Sequence, residues 1–525
     1  MATTTSTTTT TTGNPPPRRD RLSDLPDSTL AQVLSHLGSI DATCTSALST
    51  RWRDVHAAVP VIDLVDPKNG DRYGSNISTC FDHQVTAAVL GKADDVKTRT
   101  FRLNAFSPPY DLRDQWFAIA LESGLEVFDV KLRYWDHSMR RLCPFAVQPN
   151  TSADFVESTR NAFISTPPHV FRCDTLRCLR LTNFTLYLPA GKSAMPSLET
   201  LCLKKMMAKK MEKKKKKEDC RDPVQRLVSF CPNLVDLTLE ECPTVTGLVV
   251  ASNRLERFAM ICCHNATRVV LHTDRLRTLR YRGGLLAGGD EFFSVGDCSG
   301  VVALTVDICE SLNGKPTRDV IPVTNLIAGC GNNLTFLHLH LRPAMASHSN
   351  AFARALCHVP HLRQLSLKGI VQNNQTVREV ITLLRNTPNL DVLSLILVRP
   401  QKPKPDYHYL DIDDGGSDGD DDDESQNNGG GRGGQESNVD VHVPRSLWDT
   451  QVECLHYCLR KINVVNYNGK PYERMLAKYL LSKAWTLEQF SVTLPAKTTI
   501  DRRQELTKEL KYWRANKRAR ISYQE

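Results

Sequence analysis

The residues of this chain with most scope for chemistry are its seventeen cysteines and fifteen histidines. Thiolates and imidazoles ligate metals and serve as nucleophile and base. A zinc site legible in sequence needs paired half-sites of the C-x-x-C kind. The chain has no C-x-x-C; Cys173/Cys178 and Cys454/Cys458 come nearest, and neither has a second half-site. No metal and no cofactor is expected on this reading. His338 and His340 alternate, so a strand would set both rings on one face, where they could share an ion. Neither a Cys nor a carboxylate partner is at hand, so a solvated binding surface is the better expectation. Gly415-Gly416-Ser417-Asp418-Gly419 formally fits the G-x-S-x-G nucleophile elbow, which needs a strand before it and a helix after it. The surrounding DDGGSDGDDDDESQNNGGGRGGQ supplies neither. With no triad, phosphate loop or metal set, an enzyme is not expected.

Charge is concentrated in two opposed tracts. The net charge is +9, yet residues 204–217 hold nine Lys against Glu212, and residues 411–424 hold eight Asp and one Glu. A lysine run attracts phosphate non-specifically and with strong salt dependence, and it also suits nuclear import. A solvated loop is the plainer reading, and nucleic acid is not the expected partner. The terminal KRARISYQE adds a second small basic cluster. Residues 1–19 are Thr- and Pro-rich, and residues 400–445 are Asp- and Gly-rich; neither segment can bury enough apolar area to fold. The start of the chain has no apolar core of a secretory signal, and no stretch of about 18 apolar residues could span a bilayer. The expectation is an intracellular protein with free thiols, in nucleus and/or cytoplasm.

The elements that position any site come from an internal repeat. The pattern apolar-x-x-apolar-x-apolar starts at Leu125, Leu176, Leu198, Leu234, Leu255, Leu276, Val301, Leu334, Leu362, Leu390, Leu459 and Leu487. Several steps are 21, 22 or 28 residues. The long steps of 36 and 69 residues contain the Lys-rich and Asp-rich tracts, which therefore lie in loops between repeats. A leucine-rich repeat of about 20–29 residues has this form: a short parallel strand, a turn, then a return segment. Cys242, Cys263 and Cys309 fall three residues past the last apolar position, where a small residue fits inside the turn. Short returns such as RYRGGLLAGGDEFF lack a helical pattern, so an irregular solenoid is expected.

Stacked units share a core and present the x positions of the strands on a concave face. That face comprises Asp236, Thr238 and Glu240, then Thr278, Arg280 and Arg282, then Phe336, His338 and His340. It continues with Gln364, Ser366 and Lys368, then Val392, Ser394 and Ile396. Arg280, Arg282, Phe336, His338, His340, Gln364, Lys368 and Ile396 are the candidate substrate-facing residues. Phe336 and Ile396, expected to be exposed, are the best candidates for partner contacts.

Near the start, LSDLPDSTLAQVLSHL places Leu30, Val33, Leu34 and Leu37 on one helical stripe. Asp27 can cap this helix and Gly38 end it, and a second helix can begin at Asp41. A third carries Trp52. A module of this size is marginal alone and normally needs a partner surface.

The stretch LSDLPDSTLAQVLSHLGSIDATCTSALSTRWRDV resembles an F-box: Leu25-Pro26 opens it, the stripe follows, and Leu48-Ser49-x-Arg51-Trp52 closes it. The resemblance implies docking on a Skp-type adaptor of a cullin–RING ubiquitin ligase. It also implies that Leu25, Pro26, Leu30, Val33, Leu34 and Leu37 form much of that interface, with Leu48 and Trp52 alongside. VFRCDTLRCLRL and CPNLVDLTLEEC are similar to plant F-box proteins with leucine-rich repeats. CLRKINVVNYNGKPYERMLAKYLLSKAWTLEQFSV is similar to the FBD domain that ends many of them, with Glu473, Met475, Leu476, Tyr479, Leu480 and Leu481 on a helix between two strands.

The expected fold is thus α/β: a small three-helix F-box, an irregular leucine-rich-repeat solenoid with a parallel-sheet horseshoe, and a strand–helix–strand FBD cap. The expected boundaries are a tail at 1–19, the F-box at 20–62 and the solenoid at 63–399 with a Lys-rich loop at 204–219. The acidic insert follows at 400–445 and an FBD-like domain at 446–525. The implied function is substrate recognition for an SCF-type ubiquitin ligase, with an unknown protein substrate and no membrane partner. The alternative is a nuclear scaffold that holds nucleic acid through the lysines.

Overall fold

The structure is a computed structural model. It describes residues 21–22, 24–66, 77–92, 96–134, 142–145, 164–189, 194–208, 222–285, 292–296, 298–399, 441–496 and 498–524. The Thr/Pro-rich tail, residues 209–219 of the Lys-rich loop and nearly all of the acidic insert, with its G-x-S-x-G match, lie outside them. The chain forms two compact units, 1–139 with 162–198, and 140–161 with 199–525.

The first unit opens with helices α1 (Asp27–Leu34), α2 (Ser39–Thr45) and α3 (Thr50–Ala57). Leu30, Ala31 and Leu34 meet Ala42, Val55 and Val59 in one apolar cluster, with Leu25, Trp52 and Val61 at its margin. Two local expectations are corrected. Asp27 does not cap α1: Pro26 holds the cap position, and the Asp27 carboxylate pairs with Arg51 at 2.8 Å. Gly38 caps the start of α2, which begins at Ser39 rather than Asp41. The Ser39 hydroxyl accepts a hydrogen bond from the Asp63 N–H at 2.6 Å, tying this turn to the strand that follows.

That strand is β1 (Val61–Val65), followed by α4 (Ile77–Leu90), β2 (Thr100–Phe106), α5 (Tyr110–Glu122), β3 (Val127–Arg133), β4 (Ile164–Ser165), β5 (Cys178–Thr182) and β6 (Phe184–Leu186). Strands β1, β2, β3 and β5 pair in parallel in that order. Of these, β3 and β5 follow the repeat copies that start at Leu125 and Leu176. Phe101, Phe128 and Phe117 fill the space between sheet and α5, with both contacts to Phe117 edge-on at 5.4–6.0 Å.

The second unit carries β7 (Thr200–Lys204), β8 (Met207–Ala208), α6 (Pro223–Ser229), β9 (Asp236–Glu240), β10 (Gly247–Val250), β11 (Arg257–Ile261), β12 (Arg268–Leu271), β13 (Thr278–Gly283), β14 (Phe293–Val295) and β15 (Ala303–Ile308). Then come α7 (Ile321–Gly329), β16 (Phe336–Ala344), α8 (Ser349–Leu356), β17 (Gln364–Ile370), α9 (Asn374–Arg385) and β18 (Val392–Leu397). It closes with α10 (Arg445–Trp448), α11 (Glu453–Tyr457), β19 (Lys461–Val465), α12 (Pro471–Lys483), β20 (Gln489–Thr493), α13 (Ile500–Trp513) and β21 (Arg520–Gln524). Lys204 and Lys205, read as the start of the Lys-rich loop, belong to β7 and the residue after it.

Each repeat pattern begins two residues before a strand, and β7, β9, β11, β13, β15–β20 pair in parallel without a shift in phase at the apolar positions. One resulting row, Leu237, Phe258, Leu279, Leu304, Leu337, Leu365, Leu393, Ile462 and Phe490, is buried throughout. The return segments obey length. The 21-residue repeats have no room for a helix and return through β10 and β12, which pair in parallel with each other, β12 pairing in turn with β14. The later, longer repeats return through helices. At the strand ends Lys205, Glu241 and Cys262 take left-handed φ of 51°, 52° and 55°, a conformation that costs an L-residue about 1–2 kcal/mol. The chain then turns inward at Met206, Cys242 and Cys263.

The segment similar to the FBD domain is built as two further repeats, β19 and β20 with α12 between, and β21 pairs with β20 beyond it. Of the basic terminal cluster, Lys517 and Arg518 lie in the turn before β21 and Arg520 opens the strand. Glu473 at the third residue of α12 accepts from the N–H groups of Asn468 and Lys470 at 2.9 and 3.3 Å, closing the helix start. Because this carboxylate is buried, Glu473→Ala is expected to lower stability by about 1–2 kcal/mol, read as a fall in the urea midpoint.

Candidate functional site

Two surfaces, one in each unit, carry the candidate residues. On the three-helix module the apolar stripe divides. Leu30 and Leu34 are 1% and 3% exposed, so they hold the bundle together and are not themselves available surface. Val33, Leu37 and Leu48 are 46%, 40% and 69% exposed, and Ile40 joins them at 49%. The split follows from helix geometry: Val33 lies about 100° round α1 from Leu34, and Leu37 falls past the last helical residue. Pro26 is exposed, while Leu25 and Trp52 are half-buried against the core cluster. Ile40 was not among the sequence candidates, because a residue in the first turn of a short second helix has no periodic signature. Arg51 anchors the Leu25–Pro26 turn by donating to the Leu25 carbonyl as well as to Asp27.

In the second unit the strands present three rows of x-position residues. The middle row runs in register through Arg280, Thr305, His338, Ser366, Ser394, Asn463, Ser491 and Ser522. His338 Nδ1 lies 2.8 Å from Ser366 Oγ, Asn463 donates to Ser394 Oγ at 3.1 Å, and the hydroxyls of Ser491 and Ser522 are 3.0 Å apart. Beyond Arg280, the row consists of neutral hydrogen-bonding groups joined in pairs. Its last member, Ser522 on β21, lies beyond the last copy of the repeat pattern, which starts at Leu487.

The neighbouring row holds Arg282, Asp307, His340, Lys368 and Ile396. Asp307 lies 2.9 Å from His340 Nδ1, 3.5 Å from Arg282 and 3.4 Å from Arg342. Burial alone would raise the Asp307 carboxyl; the hydrogen bond and charge of His340, with Arg282 and Arg342, outweigh it and hold the group below its ordinary range. His340 is buried and Arg282 is engaged, so the candidate pair His338/His340 does not form a shared ion site: each ring has its own partner. Arg280 and Gln364 are exposed, whereas Phe336 and Ile396, expected to be exposed, are half-buried along with His338 and Lys368.

Burial lowers the His338 imidazole to about 4 from 6.5, with Asp307 opposing and His340, Lys368 and Arg280 assisting. The folded pKa lies below the unfolded one, so between these values the unfolded chain binds a proton that the fold refuses. Stability is therefore complete above about pH 6.5 and is lost as pH falls towards 4. After allowance for solvent screening of a half-buried ring the loss is about 1–2 kcal/mol. His338→Gln should flatten the urea midpoint between pH 6.5 and 4; an unchanged slope would assign the effect elsewhere.

Comparison with known proteins gives the class of these surfaces. Residues 22–55 match the F-box domain and residues 450–492 match the FBD family. The chain carries an F-box, whose helices are α1–α3, and an FBD domain, whose core is β19, α12 and the start of β20. Its homologues over most of its length are F-box/FBD/LRR-repeat proteins of Arabidopsis thaliana. One such protein is 24% identical over 498 residues, covering 94% of this chain and 96% of the relative. An FBD-associated F-box protein of the same plant is 24% identical over 484 residues, covering 90% of this chain and all of the relative (100%). A further F-box/FBD/LRR-repeat protein is 51% identical over a stretch of 47 residues, 9% of this chain and 11% of that one. Among the described residues no helix is long and apolar enough to cross a membrane.

Proposed function

We propose that the protein is the substrate-recognition subunit of an SCF-type cullin–RING ubiquitin ligase. Its F-box docks on a Skp-type adaptor through Pro26, Val33, Leu37, Ile40 and Leu48, with Leu25 and Trp52 at the margin and Leu30 and Leu34 as the supporting core. Its strand face holds a protein substrate, with Arg280, Gln364, Phe336, His338, Lys368 and Ile396 as contacts and Arg282 and His340 as supports through Asp307. The subunit itself performs no chemistry. It raises the local concentration of substrate lysines at the charged conjugating enzyme, in the nucleus and/or cytoplasm.

The observation that carries this reading is the set of apolar side chains left exposed on a module whose helices are already held together by the buried cluster of Leu30, Ala31, Leu34, Ala42, Val55 and Val59. Each is worth about 1.5–3 kcal/mol when buried, so three or four suffice to hold a partner after association costs. The test is to mix the purified chain with a Skp-type adaptor and follow them by size-exclusion chromatography and calorimetry. A stoichiometric complex is expected. A folded chain that leaves the adaptor free would overturn the proposal.

A further inference from the structure

Beyond the adaptor and substrate surfaces, the geometry points to a structural zinc site built from Cys143, Cys262, His264 and Cys309. One ligand atom from each of these residues lies within 4.8 Å of every other. Cys262 Sγ and Cys309 Sγ are 3.8 Å apart, and His264 Nε2 lies 3.2 Å from Cys143 Sγ. Four ligands at tetrahedral corners with Zn–S of about 2.3 Å stand about 3.8 Å from one another. A disulfide would need its sulfurs about 2.05 Å apart.

The repeats explain how three distant segments meet. Cys262 and Cys309 directly follow β11 and β15, on either side of β13, and donate their N–H groups to the carbonyls of Arg282 and Gly283. Between them, at the end of β13, Gly283 admits the Tyr281 ring, which a Cβ there would overlap. His264 lies two residues past Cys262 on the same turn. Cys143 arrives from segment 142–145, which is held by the Leu142 N–H donating to Glu241 at 3.2 Å and by the Phe145 ring edge-on to His264 at 5.3 Å.

Ordinary solenoid cysteines behave differently here. Cys242 and Cys263 point their thiols at the Leu203 and Leu239 carbonyls of the preceding strand. Cys262 and Cys309 face each other instead. Three thiolates and a neutral imidazole select zinc over magnesium or calcium, and they leave a net charge of about −1 on the filled site. Arg282 reaches Cys309 with its guanidinium and offsets that charge. On binding, Zn²⁺ displaces the thiol protons to solvent, with no change of oxidation state. Cys143, Cys262 and Cys309 are buried and His264 is half-buried, so the ion enters past the imidazole. Its role is to clamp segment 142–145 onto the ends of β11 and β15.

The test uses the full reduced chain, produced with zinc in the medium and purified without chelator. Elemental analysis should find about one zinc per chain, and cobalt(II) replacing it should give thiolate charge-transfer and tetrahedral d–d bands. The double substitution Cys262→Ser and Cys309→Ser should weaken zinc by more than the ~10–100-fold that loss of an outer-shell partner costs. Cys242→Ser should keep both the zinc and the cobalt spectrum. Wild-type protein that binds neither zinc nor cobalt, or that holds an intact Cys262–Cys309 disulfide when isolated under reducing conditions, would overturn the site. The wild-type readouts stand even if the double variant fails to fold.

Discussion

Val33→Asp combined with Leu37→Asp is expected to abolish capture of a Skp-type adaptor while leaving the fold intact. Both side chains are already in water, 46% and 40% exposed, so the free chain gains no buried charge. In the complex two carboxylates would be desolvated without partners where two apolar groups should sit. Each such loss at the centre of an interface costs about 2 kcal/mol or more, so the pair should weaken binding about 10³-fold. The readout is calorimetric titration with the adaptor, beside thermal unfolding of the variant alone. Unchanged affinity would remove this face from the proposed interface. Leu34→Asp could not serve the same purpose, because Leu34 is buried with Ala42, Val55 and Val59 and its loss would unfold the module.

Leu337→Ala is expected to destabilise the second unit by about 3–5 kcal/mol. Leu337 is fully buried and lies in register between Leu304 and Leu365, so neighbours on both strands lose contact when it is truncated. A parallel sheet held at both sides cannot collapse into the space, and the cavity term is then near its maximum. Urea unfolding of the variant should show this loss in full. Arg280→Ala on the exposed face should shift the midpoint by less than about 0.5 kcal/mol. Equal effects would mean that the row is not the interior of the sheet.

Much of this architecture is written in periodicity. Every strand from β15 to β20 starts two residues after an apolar position of the repeat, because the spacing L-x-x-L-x-L already states which side chains alternate inward. The lengths of the return segments likewise told which repeats could hold a helix. The strands at the margins are less legible. TFRLNAF, which forms β2, has Thr98 where the pattern opens on an apolar residue, and VIDLV, which forms β1, fits the pattern only with Val59 in place of a leucine. RISYQ, which forms β21, follows a cluster of Lys and Arg whose charge masked its alternation.

The sequence by itself determined the F-box stripe and the repeat register, since each depends on neighbours within a few turns or strand lengths. Only the tertiary structure decided which apolar residues of the stripe stay in water: Leu30 and Val33 look alike until α3 packs on one of them. It alone tied Arg282, His340 and Arg342 to Asp307, taking His340 out of the accessible strand face. It also brought Cys143 to His264 across 121 residues and Cys262 to Cys309 across 47. A spacing rule reads ligands that share one turn or hairpin. Here parallel stacking makes neighbours of residues one and two repeats apart, and that proximity exists only once the coils are laid side by side.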